Sequence, residues 1–295
     1  MNSTHAPLAP SSAPQWGRCP GSVMANLSAP DLSGQRTREG EAAHWVGAEC
    51  LAAGPGRMAA IAFIGRTAPN GVVVDDEMAE GAQEWVDDVF NTGEKYGAPH
   101  GLTVEQRTNA SQIHEHCWGT YDSALWLPEC NTLCLWDYKH GHREVSAYEN
   151  LQLICYVAGL SREYPIHVDT TIVMRIIQPY CYHAAAPVHE WRVTYGELLP
   201  YIEGLREAGE RAMTDPTLTP GVHCRDCAAV GRCASARRYG YSIISYVNEP
   251  YQIESMAGPD LAAERSPLPI LSRRSSSTAS SRAFITFKPS PSIDR

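Results

Sequence analysis

The chain has 295 residues, 43% hydrophobic and 19% charged, which is apolar material enough for one sizeable core, or one core with a small satellite. A formal net charge of −9 speaks against a uniformly basic protein that coats nucleic acid, while leaving room for a local basic groove and for carboxylates clustered to hold cations. No basic segment followed by an apolar run opens the sequence, and no apolar run approaches the roughly 20 residues of a transmembrane helix, so a cytoplasmic protein without membrane contact is expected.

Residues 1–15 are Pro, Ser and Ala in the main and are expected to be disordered. Residues 16–245 carry the periodic patterns of a folded domain. Residues 246–295 drift into a Ser-, Pro- and Arg-rich tail, also expected to be disordered. Within the domain, Glu39 to Ala53 reads as a helix stopped by Gly54-Pro55. Asp76 to Asn91 is a second helix, with Met78, Trp85, Val86, Val89 and Phe90 at helical spacing and Gly93 as its stop. Three strands follow: Leu102 to Thr108, Gly119 to Leu127, and Thr132 to Lys139. Ala147 to Leu160 returns to helix, Val168 to Ile177 is a β-branched strand, and Thr194-Tyr195-Gly196-Glu197 is a capping box that opens another helix. This order predicts an α/β sheet with helices on its faces.

Polar residues gather at the strand ends. The run LCLWDYKHGH begins as an inner strand and ends in Asp137-Tyr138-Lys139, and side chains two apart share a strand face. Asp122 lies early in the preceding strand. Two carboxylates with a nearby imidazole suit Mg²⁺ or Mn²⁺, and a lysine beside them can orient or activate a water. A surface ion pair would explain the D-x-K triplet equally well. His140 and His142 follow closely, either in a solvated turn or against phosphate.

The set of motifs goes further. His44 in EGEAAHW, Asp122 in GTYD, Asp137 and Lys139 in DYK, and Gln152 with Tyr156 in QLICY resemble, in order and in element type, the RecB-like branch of the PD-(D/E)XK nucleases. The resemblance implies a restriction-endonuclease-like core, a mixed central sheet flanked by helices. It implies that His44, Asp122, Asp137 and the backbone carbonyl of Tyr138 hold Mg²⁺ or Mn²⁺, and that Lys139 is the catalytic cation. Gln152 and Tyr156, which share a helix face at i, i+4, would organise the site and the nucleic-acid strand. Glu39, about one helical turn before His44, would back it.

The sequence has ten cysteines and no secretion signal, which favours thiols or metal ligands over disulfides. Cys224, Cys227 and Cys233 in HCRDCAAVGRC suit a soft metal or an iron–sulfur cluster completed by a fourth ligand. In the iron–sulfur members of the RecB-like group, CRISPR-associated and AddB-type nucleases among them, that ligand precedes the nuclease domain. Cys19 in RCPGS stands in that place. A 4Fe-4S cluster would then clip the C-terminal segment to the N-terminal one; Zn²⁺ on the same thiolates, with His223 as a substitute ligand, is the rival. Cys50, Cys130, Cys134, Cys155 and Cys181 read as buried.

The chain also resembles a phage-associated group of RecB-like proteins through CPGS, EGxAAH, GTxD and DYK, although EGTAAH reads EGEAAH here, adding Glu41. By these resemblances it is expected to be a metal-dependent deoxyribonuclease, an exonuclease on single-stranded DNA or DNA ends, working with phage or bacterial recombination or replication proteins. Tyr121, Trp126 and Tyr148 are the aromatics expected to stack unpaired bases. A catalytically silent DNA-binding or scaffold protein with a structural metal site is the alternative.

Overall fold

The computed structural model describes residues 6–27, 29, 34–96, 101–182 and 187–248. The expected tail lies outside these beyond Asn248, as do residues 1–5. The chain divides after Gly240, and the architecture below belongs to the first unit.

Residues 6–15 overturn the expected disorder of the N-terminal segment. A 3-10 turn, Pro10–Ser12, leads into the short helices α1 (Ala13–Trp16) and α2 (Ser22–Leu27). Leu8 and Trp16 are sealed in the core. The Leu8 N–H donates to the His116 carbonyl and the Trp16 indole to that of Ala9. Composition misleads here because burying each large apolar side chain contributes on the order of 2 kcal/mol, which two such residues supply in a short polar segment.

α3 (Gln35–Ala53) stops at Gly54, whose φ of +94° disfavours any side chain. α4 (Asp76–Lys95) starts where Asp75 accepts from the Met78 N–H at 2.9 Å, with Asp76 and Glu77 at the positive end of the helix dipole. It passes through Gly93 to Lys95, since one buried helical glycine costs only about 1 kcal/mol relative to alanine. The sheet follows in the order β1 (Leu102–Asn109), β2 (Trp118–Leu127), β3 (Thr132–Tyr138), β4 (Thr171–Ile177), β5 (Val188–Thr194). β1, β2 and β3 form an antiparallel meander, β3 and β4 are parallel, and β4 and β5 are antiparallel.

The parallel pair needs a crossover, and α5 (Leu151–Leu160) lies within it. α5 begins four residues later than its apolar pattern suggests, because Asn150 caps it by accepting from the Gln152 and Leu153 N–H groups. The capping box of Thr194 and Glu197 opens α6 (Tyr195–Thr214) as expected, and α7 (Ala234–Asn248) follows the cysteines. β5 has no counterpart in the sequence reading: it is an edge strand, half-exposed along its length, without clear apolar alternation.

The fold is thus α/β, a five-stranded mixed sheet flanked by helices. One face packs on α3 and α4 through Val46, Trp85, Val89 and Trp136. The other packs on α5 and α6 through Leu133, Leu135, Ile154 and Leu198. Covered on both faces, β3 is buried from Thr132 to Tyr138. No helix among the described residues is long and apolar enough to cross a membrane.

Candidate functional site

Three strands set three carboxylates in a row across one end of the sheet. Val104 faces Ser123 and Gln106 faces Tyr121, so Glu105 stands opposite Asp122; Ser123 faces Trp136, and one further step sets Asp122 opposite Asp137. Regular pairing is interrupted at this row. Glu105 has φ +50°, a left-handed conformation that costs a non-glycine residue about 1–2 kcal/mol. In β2 the alternation slips as well: Tyr121 and Ala124 both join the core on the α5 side, while Asp122 and Ser123 reach His44 and Trp85 on the other. Strained backbone of this kind persists where surrounding contacts over-determine it.

His44 of α3 is that surrounding contact. Its Nδ1 lies 2.9 Å from Glu105 Oε1 and its Nε2 2.9 Å from Asp122 Oδ2. Burial works to lower the His44 pKa, but Asp122 and then Glu105 drive it well above the usual histidine range. Burial likewise works to raise Asp122, and His44, Lys139 and the Tyr138 N–H, which donates to Oδ2 at 2.6 Å, hold it below its ordinary value. The donor atoms of His44, Glu105 and Asp122 all lie within 4.8 Å of one another, a spacing that could hold a metal ion.

Asp137 and Lys139 share a strand face as the D-x-K spacing requires, with Lys139 Nζ 2.6 Å from Asp137 Oδ2. Gln152 of α5 donates to Asp137 Oδ1 at 2.9 Å and accepts from Lys139 Nζ at 3.4 Å. Burial pushes Asp137 up to about 6 against the pull of Lys139. Lys139, which burial would lower, is carried above its ordinary value by Asp137 and Asp122. Asp137 Oδ2 is sealed from solvent and meets the ammonium without an aligned hydrogen bond. A buried anionic oxygen so weakly satisfied is where an added cation is best received. With Asp137 ionised, three carboxylates face two cationic side chains, so one negative charge is left over.

Of the residues anticipated, His44, Asp122, Asp137, Lys139 and Gln152 are brought together. Tyr156 is also present but points inward, packed against Tyr121 and only 4% exposed, so it supports the site and meets no solvent-borne strand. Glu39 is a correction: it accepts from Gln35 of its own helix, and the carboxylate that holds His44 is Glu105. A cleft of about 920 Å³ opens beside the row, lined by Arg36, Glu41, His44, Lys139, His140, His142, Arg143 and Tyr182 among others.

The second constellation is made of thiols. Cys19, Cys224, Cys227 and Cys233 line one small closed cavity of about 20 Å³, none of them in a disulfide. The Thr219, Gly221 and Ala236 N–H groups donate to the sulfurs of Cys19, Cys224 and Cys233 at 3.3, 3.4 and 3.4 Å. Cys227 Sγ donates to Asn26 Oδ1. Burial, and then the neighbouring thiols, push Cys19 and Cys227 above the ordinary cysteine range. His223, which also lines the cavity, turns Nε2 to the Thr219 carbonyl at 2.8 Å. Four soft donors around one cavity could hold a soft metal or a cluster.

A family model described as "Protein of unknown function (DUF2800)" matches residues 5–263. The chain belongs to this family. The DUF2800 match spans both the carboxylate row and the thiol cavity.

Other anticipated residues fall elsewhere. Tyr121 is fully buried, its hydroxyl donating to Thr103, and Trp126 stacks on Tyr164, so Tyr121 cannot stack a base. Cys130 is exposed and Cys181 half-buried, whereas Cys50, Cys134 and Cys155 are buried as expected. Cys130 sits in the β2–β3 turn and Cys181 past the end of β4, beyond the paired strands. Glu105 went unforeseen because nothing in LTVEQRTN marks it; only its register opposite Asp122 does.

Proposed function

We propose that this chain is a divalent-metal-dependent deoxyribonuclease of the PD-(D/E)XK, RecB-like type, with a restriction-endonuclease-like core, acting on single-stranded DNA or DNA ends. The observation that carries the reading is the convergence of Asp122, Asp137 and Lys139 with His44 and Gln152 at one sheet end, beside a cleft lined by cationic side chains. A Mg²⁺ or Mn²⁺ ion held by His44, Asp122, Asp137 and the Tyr138 carbonyl supplies Lewis acidity and charge neutralisation at a phosphodiester. The donor set fits such an ion: hard oxygens and one imidazole, with a weakly satisfied buried carboxylate oxygen among them.

The protein groups then have distinct tasks. Glu105 engages His44 Nδ1 and thereby presents Nε2 to Asp122. Gln152 fixes Asp137 through Oδ1, while Oδ2 faces the Lys139 ammonium at 2.6 Å. The Lys139 side chain, 29% exposed, holds its ammonium where it can orient a water or stabilise hydroxide by charge. That water adds to phosphorus, the bridging oxygen leaves, and the products are an alcohol and a phosphate monoester.

The thiol cavity supports a 4Fe-4S cluster in the same reading. Backbone N–H groups aimed at three sulfurs suit an iron–sulfur centre, and the remote Cys19 would tie the two ends of the domain together. Phage or bacterial recombination or replication is the setting the resemblance implies.

The test is digestion of end-labelled single- and double-stranded DNA with Mn²⁺ by anaerobically purified protein, alongside Lys139→Ala. The variant should lose about 10²- to 10⁴-fold in rate with its circular dichroism unchanged. Iron and acid-labile sulfide in stoichiometric amounts support the cluster; zinc without colour replaces it. DNA binding by wild type with no cleavage in Mg²⁺ or Mn²⁺ would hand the assignment to the scaffold alternative.

A further inference from the structure

The cleft has an aromatic rim for which the hydrolytic chemistry has no use. Tyr182 is 82% exposed, yet its ring is not loose. It stacks on His142 with centroids 4.8 Å apart and planes 24° from parallel. The Tyr182 N–H donates to the His142 carbonyl at 3.1 Å, and His142 Nδ1 meets the Tyr180 carbonyl at 2.8 Å. Tyr180 is itself anchored, its hydroxyl donating to the Glu77 carbonyl of α4.

The loop beneath is held as firmly. Gln178, 1% exposed at the end of β4, donates to the carbonyls of Gly141 and Arg143 and accepts from the Val145 N–H at 2.9 Å. A buried amide thus fixes the segment that carries His142. The result is a flat ring with one face backed by His142 and its other face uncovered among the described residues.

Its surroundings select the ligand. The same cleft is lined by Arg36, Lys139 and Arg143 against one carboxylate, Glu41, with Arg143 also paired to Asp226. An open aromatic face beside cations fits a nucleobase next to its phosphate, because every base has a π-face and a backbone charge. In a duplex those faces are stacked on neighbouring base pairs and are not available. A protein partner would want a contiguous apolar patch, which one ring among cations does not make.

We propose that Tyr182, backed by His142, is a stacking platform for one unpaired base of a single-stranded polynucleotide whose backbone passes through the cleft towards Lys139. The inference deepens the nuclease reading of the same cleft and rests on it. It makes the preference for single strands a property of the platform, and cleavage a property of the carboxylate row.

The experiment uses the full chain with Mg²⁺ and Mn²⁺ withheld, and an oligodeoxynucleotide carrying 2-aminopurine, free or annealed to its complement. Wild type should bind the single strand more tightly than the duplex and quench its fluorescence. Tyr182→Ala should bind the single strand about tenfold more weakly without the quench, whereas Tyr182→Phe should keep both. In Mn²⁺ the same alanine variant should raise KM for single strands and leave kcat near wild type. Lys139→Ala should keep the quench and lose cleavage, which separates the two claims. An RNA of the same sequence that is quenched equally supports a platform that reads base faces and ignores the sugar. Unchanged binding and quenching in Tyr182→Ala would overturn the platform and leave the nuclease reading standing. Absence of single-strand binding by wild type would overturn both.

Discussion

The carboxylate row and the thiol cavity are built on opposite principles. The row sits on β1, β2 and β3, from the edge strand β1 to β3, which is buried on both faces, with a helix on each side contributing His44 and Gln152. Two of its three negative charges are met within the fold by His44 and Lys139. The cysteines instead come from α1's exit and from 3-10 turns and loops, Val222–Asp226 and Val230–Arg232 among them. Burial pushes the Cys19 and Cys227 thiols towards the neutral form. Regular structure preorganises hard donors, whereas soft donors on turns depend on a ligand that deprotonates and gathers them. The first site is a product of the fold; under the proposed cluster reading, the second would be a condition for it.

The largest expected effect falls on the second site. Cys19 and Thr219, which donates to its sulfur, are 200 residues apart, so a centre on the four thiolates closes most of the domain into one loop. By the loop-closure entropy of a cross-link of that span, Cys19→Ser should cost about 4–5 kcal/mol in urea unfolding and abolish the visible chromophore. Unchanged unfolding would break the contrast, leaving the cavity an ordinary cluster of buried thiols. At the first site, Glu105→Gln should lower activity about 10- to 100-fold by weakening the hold on His44 and its anion partner. Titration with Mn²⁺ locates the effect: half-saturation should move to higher concentration while the melting temperature stays near wild type. A variant that melts early and needs no more Mn²⁺ would make Glu105 a structural residue only.

What the sequence discloses follows the same division. Asp122, Asp137 and Lys139 are partly legible because carboxylates and a lysine gather at strand ends, whereas His44 and Gln152 are legible only through the resemblance of their motifs to the RecB-like pattern. Glu105 is not, since its role arises from register between two strands and from a left-handed backbone, neither of which a local pattern encodes. Leu8 hides in a Pro- and Ser-rich segment whose composition reads as disorder, although Trp16, the first residue of the expected domain, packs in the same core. The platform was sought at Tyr121 and Trp126, on strands, where alternation sends aromatics inward, and at Tyr148, which is exposed before α5 and meets Trp191 edge-on. Tyr182 stands past a strand end, in a stretch without periodicity, and only its stack on His142 gives it meaning.

The smallest expected effect lies where the two sites meet. Asp226 belongs to the turn between Cys224 and Cys227, and both its oxygens accept from Arg143, at 2.6 and 3.0 Å, while Arg143 lines the cleft. Both partners are about half exposed, so the pair should contribute no more than about 1 kcal/mol to stability. Its electrostatic consequence is easier to see. A carboxylate that occupies both terminal nitrogens cancels a positive charge that the cleft could otherwise offer to phosphate. Asp226→Asn should therefore tighten single-strand binding a few-fold and steepen its dependence on salt by about one counterion, with kcat unchanged. Weaker binding with an unaltered salt slope would mean the opposite, that the cysteine turn holds Arg143 in the posture in which it grips the strand. In either outcome the measurement reports whether the cysteine turn restrains or serves the cleft through Arg143.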